Sequence, residues 1–139
     1  MSNELLLIFT LLVEFTLVII CHKFLGKYGL YMWIAVATIA QNIEVLILVK
    51  AFGIEMTLGN ILFASTFLAT DIISEIYGKS ESYKAVKIGI VTSIIFIMIS
   101  SSWLAYAPSP NDFAFGSIKS IFSYTPRLML ASISVYIIV

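Results

Sequence analysis

The sequence predicts an all-α integral membrane protein, a polytopic bundle of transmembrane helices with four full spans and an incomplete fifth. Three observations carry that prediction. Of 139 residues, 60% are hydrophobic and 12% charged, against about 25% charged in an average soluble domain. Mean hydropathy is +1.05. The apolar residues gather into runs close to the ~20 residues that a helix needs to cross a hydrocarbon core of about 30 Å, and short connections between the runs hold most of the lysines. Net charge is zero, with no basic tract or acidic tail, so nothing points to nucleic acid or to a peripheral electrostatic partner. Cys21, the sole cysteine, has no intramolecular disulfide partner, and with His22 beside it forms no cluster of metal-binding spacing. Without a repeat or a linker, residues 1–139 read as a single transmembrane domain.

The first run, Leu5 to Cys21, lacks the basic start and small-residue cleavage site of a secretory signal and is expected to be a retained helix. Glu14 then falls near the midplane, where an acid costs on the order of 2.5 to 3.5 kcal/mol to insert, so it is expected to face protein, bonded to a neighbouring helix. His22 to Gly29, with two lysines and two glycines, reads as a turn at the membrane surface. The second span, Leu30 to Val49, opens with Tyr31 and Trp33 as interfacial aromatics. Gln41, Asn42 and Glu44 interrupt it near the bilayer centre. Amides inside membrane helices often serve only to join helices, but three polar residues within four positions exceed that need, and a substrate-lining role is expected.

Lys50 to Met56 is the second connection. The third span, Thr57 to Tyr77, carries Asn60, Ala64, Phe67, Asp71, Ser74 and Glu75 within roughly 60° on a helical wheel, while Leu62, Leu68, Ile72, Ile73 and Ile76 lie opposite. One narrow acidic face is therefore aimed at a single place. It either binds a ligand or forms a structural ion pair with Lys79 or Lys84. Gly78 to Lys87 forms the third connection. The fourth span, Ala85 to Ala107, sets Gly89, Ser93, Phe96 and Ser100 on one face, a pattern for close helix packing. Hydroxyls of Ser100 to Ser102 are expected to bond back to their own helix. Pro108 to Pro126 is a longer connection lying partly in the interface, and the apolar run after Arg127 is too short, as far as Val139, to cross a bilayer. The chain is therefore expected to be cut short. Five lysines in the first and third connections, against Lys50, Lys119 and Arg127 in the others, place the first and third on the cytoplasmic side.

Three stretches, KFLGKYGLYMWIAVATIAQNIEV, TLGNILFASTFLATDIISEIYGK and PRLMLASISVY, resemble in order and spacing the queuosine precursor transporter family, also called vitamin-uptake-like transporters. The most specific part is TDIxxExYGK at Thr70 to Lys79. Ser80-Glu81-Ser82 departs from the more basic, alanine-containing stretch that follows YGK in the family. The resemblance implies a multi-pass protein of the bacterial cytoplasmic membrane, similar to substrate-binding subunits of energy-coupling-factor importers. It implies uptake of 7-deazaguanines such as 7-cyano-7-deazaguanine for tRNA modification, with membrane lipid around the protein and a homo-oligomer or separate energy-coupling subunits as partners. No ATP-binding motif is present, so ATP-driven import would need other subunits.

The chemistry of the polar residues agrees with such a solute. A deazaguanine edge offers a ring N–H and an exocyclic amino group as adjacent donors, which a carboxylate of Glu44, Asp71 or Glu75 can accept, and a ring carbonyl that takes a bond from Gln41, Asn42 or Asn60. Phe67, or Trp33 on the preceding helix, could stack on the heterocycle. The expected binding set is Gln41, Asn42, Glu44, Asn60, Phe67, Asp71 and Glu75. An enzyme is not expected: there is no HExxH and no nucleophile with a neighbouring base, hence no catalytic residue, metal or cofactor. The alternatives to a transporter are a membrane scaffold or assembly subunit, or a transporter fragment inactive alone.

Overall fold

The computed structural model describes residues 2–138; Val139, where the chain was expected to be cut short, lies outside the described residues. The order is α1 (Asn3–Leu25), α2 (Lys27–Glu44), β1 (Leu48–Ala51), β2 (Ile54–Thr57), α3 (Gly59–Tyr77), α4 (Lys79–Leu104), α5 (Phe115–Phe122) and α6 (Thr125–Ile138). Helix α2 sits centrally, packed against α1, α3, α4 and α6. The core joins Val18 of α1, Leu30 and Ile34 of α2, Ala69 and Ile73 of α3 and Ala85 of α4. Large apolar side chains such as Phe9, Leu12 and Ile19 on α1, or Val91, Ile95 and Met98 on α4, are exposed. That inversion of the soluble pattern suits lipid as the solvent.

Helices α1 and α4 are long and apolar enough to cross a membrane, with mean hydropathy 2.5 and 1.9. At ~1.5 Å per residue their lengths are ~34 and ~39 Å. The expected surface turns are far tighter than the sequence implied. A single residue, Gly26 (φ 61°), separates α1 from α2, and Gly78 (φ 95°) separates α3 from α4. Glycine takes these left-handed angles without a Cβ clash, so His22–Leu25, Lys27–Gly29 and Lys79–Lys87 are helical and not loop.

The second correction concerns the end of α2. Helix was expected through Val49, but α2 stops at Glu44, and an antiparallel hairpin pairs Leu48 with Thr57 and Ala51 with Ile54. Positive φ at Phe52 (53°) and Gly53 (76°) marks a two-residue hairpin turn. Hydropathy does not separate helix from strand; the β-branched Ile47 and Val49 ahead of the Phe-Gly turn favour extended backbone, while Val45 still caps α2 in helical geometry. The hairpin is pinned to the start of α1. Asn3 Nδ2 donates to the Lys50 carbonyl at 2.9 Å, and the Phe52 N–H donates to Glu4 Oε1 at 3.0 Å. Two strands with open edges cannot sit unsatisfied in lipid, so this end of the bundle belongs at a polar surface. Gln41, Asn42 and Glu44 therefore occupy the last turn of α2, near one end of the bundle and not its centre.

At the opposite end, Glu81 of α4 takes bonds from Lys84 Nζ (2.7 Å) and the Tyr31 hydroxyl, with Lys27 Nζ at 3.4 Å. His22 Nε2 and the Tyr77 hydroxyl lie 3.0 Å apart, tying α1 to α3. Trp33 is half-buried, its Nε1–H donating to Ser65 Oγ of α3 at 3.0 Å, and so ties α2 to α3. The face of α4 expected to pack does so. Gly89, Ser93 and Ser100 are buried, and the Ser93, Ser100 and Ser102 hydroxyls donate to carbonyls three or four residues back. Within the long connection, α5 lays Phe122 against Phe96 and Trp103 of α4 at ring separations of 5.8 and 5.4 Å.

Candidate functional site

The close approach of α2 and α3 at the hairpin end creates the candidate site. Gly59 is the reason they meet: a Cβ there would lie 3.0 Å from the Gln41 carbonyl and 3.2 Å from the Val45 nitrogen. Beside this contact opens a cavity of about 350 Å³, walled by Gln41 and Asn42 of α2, Asn60 and Phe63 of α3, and Leu128 and Ser132 of α6. Gln41 and Asn42 are 5% and 3% exposed. Their bonding differs sharply. Asn42 Nδ2 donates to the Thr38 carbonyl at 2.6 Å, and Asn42 Oδ1 accepts from Ser132 Oγ at 3.1 Å. That is the bonding of a helix-joining amide. Gln41 Oε1 is buried and has no hydrogen-bond partner, a state that costs on the order of 1 to 3 kcal/mol unless something fills it.

The seven expected residues do not share one cavity. Gln41, Asn42 and Asn60 come together in the first. Glu44 lines a second cavity, about 270 Å³, with Glu14 and Thr10 of α1 and Leu58 and Ile61 of α3. Phe67, 44% exposed, lines a third of about 170 Å³ with Thr66, Thr70 and Gly89. Asp71 and Glu75 are exposed on α3 and line none of these. Eleven residues separate Asn60 from Asp71, a rise of ~16 Å, more than one bicyclic base can bridge. Nor is Asp71 paired as the structural alternative required: among the described residues the two ion pairs are Lys27 and Lys84, each with Glu81. Glu14, expected to bond a neighbouring helix, is 9% exposed, and its Oε2 has no partner.

Two residues of the first cavity escaped the sequence reading. Phe63 stands three residues after Asn60, on the same side of α3, and makes an edge-to-face contact with Phe67 at 4.8 Å. Ser132 is one of two hydroxyls in the apolar run LMLASISV, a signal of an inward face that was available but unread.

A partly open cavity between helices, lined by the buried amides of Gln41 and Asn42 and by one aromatic ring, Phe63, thus sits in a helical bundle of the membrane class. The chain belongs to the queuosine precursor transporter, or vitamin uptake transporter, family: residues 57–139 match the family model described as "Putative vitamin uptake transporter". It is 34% identical over 137 residues to a Bacillus subtilis (strain 168) protein described as "Probable queuosine precursor transporter". That match takes in 99% of this chain, and the chain spans 60% of the relative's length. No solved structure gives a significant match.

Proposed function

We propose that this protein takes part in uptake of a queuosine precursor, a 7-deazaguanine such as 7-cyano-7-deazaguanine, across the bacterial cytoplasmic membrane. In this reading α1 to α4 are four full spans and α6 belongs to a fifth. The observation that carries the reading is the unpartnered Gln41 Oε1 in a cavity of about 350 Å³, within the usual range for small-molecule sites. A buried acceptor without a donor calls for a solute that brings N–H groups, as the ring N–H and amino group of a deazaguanine do. Asn60, exposed and at the cavity edge, supplies an amide N–H for the ring carbonyl. Phe63 supplies a stacking face. Asn42, with its carbonyl taken by Ser132, holds α2 against α6 and so shapes the cavity.

Glu44, Phe67, Asp71 and Glu75 then act elsewhere on the path. Phe67, Asp71 and Glu75 continue along α3 from Asn60 toward Gly78 and would meet the solute at a different stage of its passage. The test is direct binding of 7-cyano-7-deazaguanine to the purified protein in detergent. Saturable binding lost in Gln41→Leu supports the reading; binding unchanged by that substitution rejects this cavity.

A further inference from the structure

The second cavity is built unlike the first. Its polar wall is mostly acceptors; the one amide among its lining residues, Asn3, gives its Nδ2 to the Lys50 carbonyl. Glu14 presents a carboxylate whose Oε2 is buried and unpartnered, although the residue is only 9% exposed. Glu44 presents a second carboxylate from α2. The Thr10 hydroxyl has already given its hydrogen to the Leu6 carbonyl at 2.8 Å, leaving only lone pairs. The remaining wall includes Leu6, Leu7, Val49, Leu58 and Ile61, and no cationic side chain is among the residues that line it. Glu14 lies eleven residues from either end of α1, ~16 Å from each end. A carboxylate at that depth with no protein donor or cation is costly to keep ionised. What the site lacks is positive charge.

Nearby charged groups are otherwise engaged or remote. On the hairpin, Lys50 and Glu55 are exposed and outside the cavity lining, and Glu4 holds the Phe52 N–H. On α2, Lys27 and Tyr31 are engaged by Glu81 at the far end. Asp71 and Glu75 of α3 are exposed in its last two turns. Glu44 is thus the titratable group that shares the cavity with Glu14. The two cavities also share a wall. Gln41 and Asn42 face the first while Glu44, three residues after Gln41, faces the second; on α3, Gly59 and Asn60 face the first while Leu58 and Ile61 face the second.

We propose that Glu14, at mid-length of α1, and Glu44, in the last turn of α2, form a proton-binding site whose loading drives solute uptake through the shared wall of α2 and α3. The inference rests on the transport reading above. A proton from the outer aqueous phase forms an O–H bond on one carboxylate, neutralises it, and leaves to the inner phase when that bond breaks; no electron moves and the solute is unchanged. Charge gained and lost at Glu44 biases the turn that carries Gln41 and Asn42, which is how occupancy of one cavity reaches the other.

The experiment uses the protein reconstituted into liposomes, radiolabelled 7-cyano-7-deazaguanine as the probe, and an acid-outside gradient. For one proton per solute, each pH unit supports about tenfold accumulation, ~1.4 kcal/mol. Wild type is expected to accumulate solute with the gradient. Glu14→Gln and Glu44→Gln are expected to lose that drive, while Glu14→Gln still admits solute downhill at equal pH. Infrared difference spectra across a pH titration of the detergent-purified protein provide a readout independent of solute: a protonated carboxyl band is expected in wild type and reduced in each variant. Gradient-driven accumulation that persists in both variants, wild-type uptake indifferent to pH, or drive by sodium in place of protons overturns the proposal. Absence of uptake in every preparation with the titrating carboxyl band intact rejects the transport reading and keeps the proton site; absence of both rejects the proton site as well.

Discussion

Ser132 of α6 donates its hydroxyl to Asn42 Oδ1 of α2 at 3.1 Å, joining residues 90 positions apart. The same hydroxyl reaches the Leu128 carbonyl at 3.1 Å, and the same amide donates to the Thr38 carbonyl. One short chain of polar bonds thus closes the side of the cavity that α6 supplies. A double-mutant cycle on Asn42→Ala and Ser132→Ala, read by thermal unfolding in detergent, is expected to give a coupling of about 0.6 to 2 kcal/mol. Strict additivity would show that the bond contributes nothing to the α2–α6 contact.

Gln41 should separate binding from stability. Its Oε1 is buried without a partner, so Gln41→Leu removes a desolvation cost along with an acceptor. The variant is expected to unfold at the same temperature as wild type or higher, and to bind 7-cyano-7-deazaguanine about 10- to 100-fold more weakly, ~1 to 3 kcal/mol. Equal losses of stability and affinity would assign Gln41 a packing role.

Gly59 sets how closely α2 and α3 approach. A Cβ there meets backbone atoms of Gln41 and Val45 at 3.0 to 3.3 Å, so Gly59→Ala must push the helices apart, at a cost of roughly 1 to 3 kcal/mol. Gly116 of α5, where a Cβ would meet nothing within 4 Å, is the control. Gly116→Ala is expected to be neutral or to stabilise by about 0.5 to 1 kcal/mol, the usual difference between these residues in a helix. Thermal melts of both variants check the pair.

Asp71 is exposed and forms no ion pair among the described residues, while Lys84, one of its two expected partners, is engaged by Glu81 at 2.7 Å. Asp71→Asn is therefore expected to change stability by no more than about 0.5 kcal/mol, with no rescue by Lys84→Met. If the acidic face of α3 handles the solute, the same variant loses uptake while Asp71→Glu keeps part of it. Wild-type uptake by Asp71→Asn removes Asp71 from the path.

Glu81 is the contrasting acid, bonded to Lys84 and Tyr31 and paired with Lys27. Glu81→Gln is expected to lower the melting temperature more than Lys84→Met does, because it releases partners on both α2 and α4, whereas the lysine leaves Tyr31 and Lys27 in place. Equal shifts would mean that the α2–α4 link through Tyr31 carries no stability.

Composition and the spacing of apolar runs by themselves determined the helical membrane class and the approximate position of each long helix. Those properties depend on what each residue is and on its neighbours within a turn or two. The TDIxxExYGK stretch likewise carried the family, because it is a local pattern. The end of α2 was not legible in the same way, since Val45 to Val49 is equally apolar as helix or strand, and the Phe-Gly turn with its tether to Asn3 and Glu4 decided the outcome. Which polar residues share a cavity was decided only by tertiary structure. A helical wheel fixes angle but not height or neighbour, so Asn60 and Asp71, on one face, fall ~16 Å apart, while Asn42 and Ser132, distant in sequence, meet. Glu14 and Glu44, read separately in the sequence, come to line one cavity because the single-residue turn at Gly26 folds α1 back along α2.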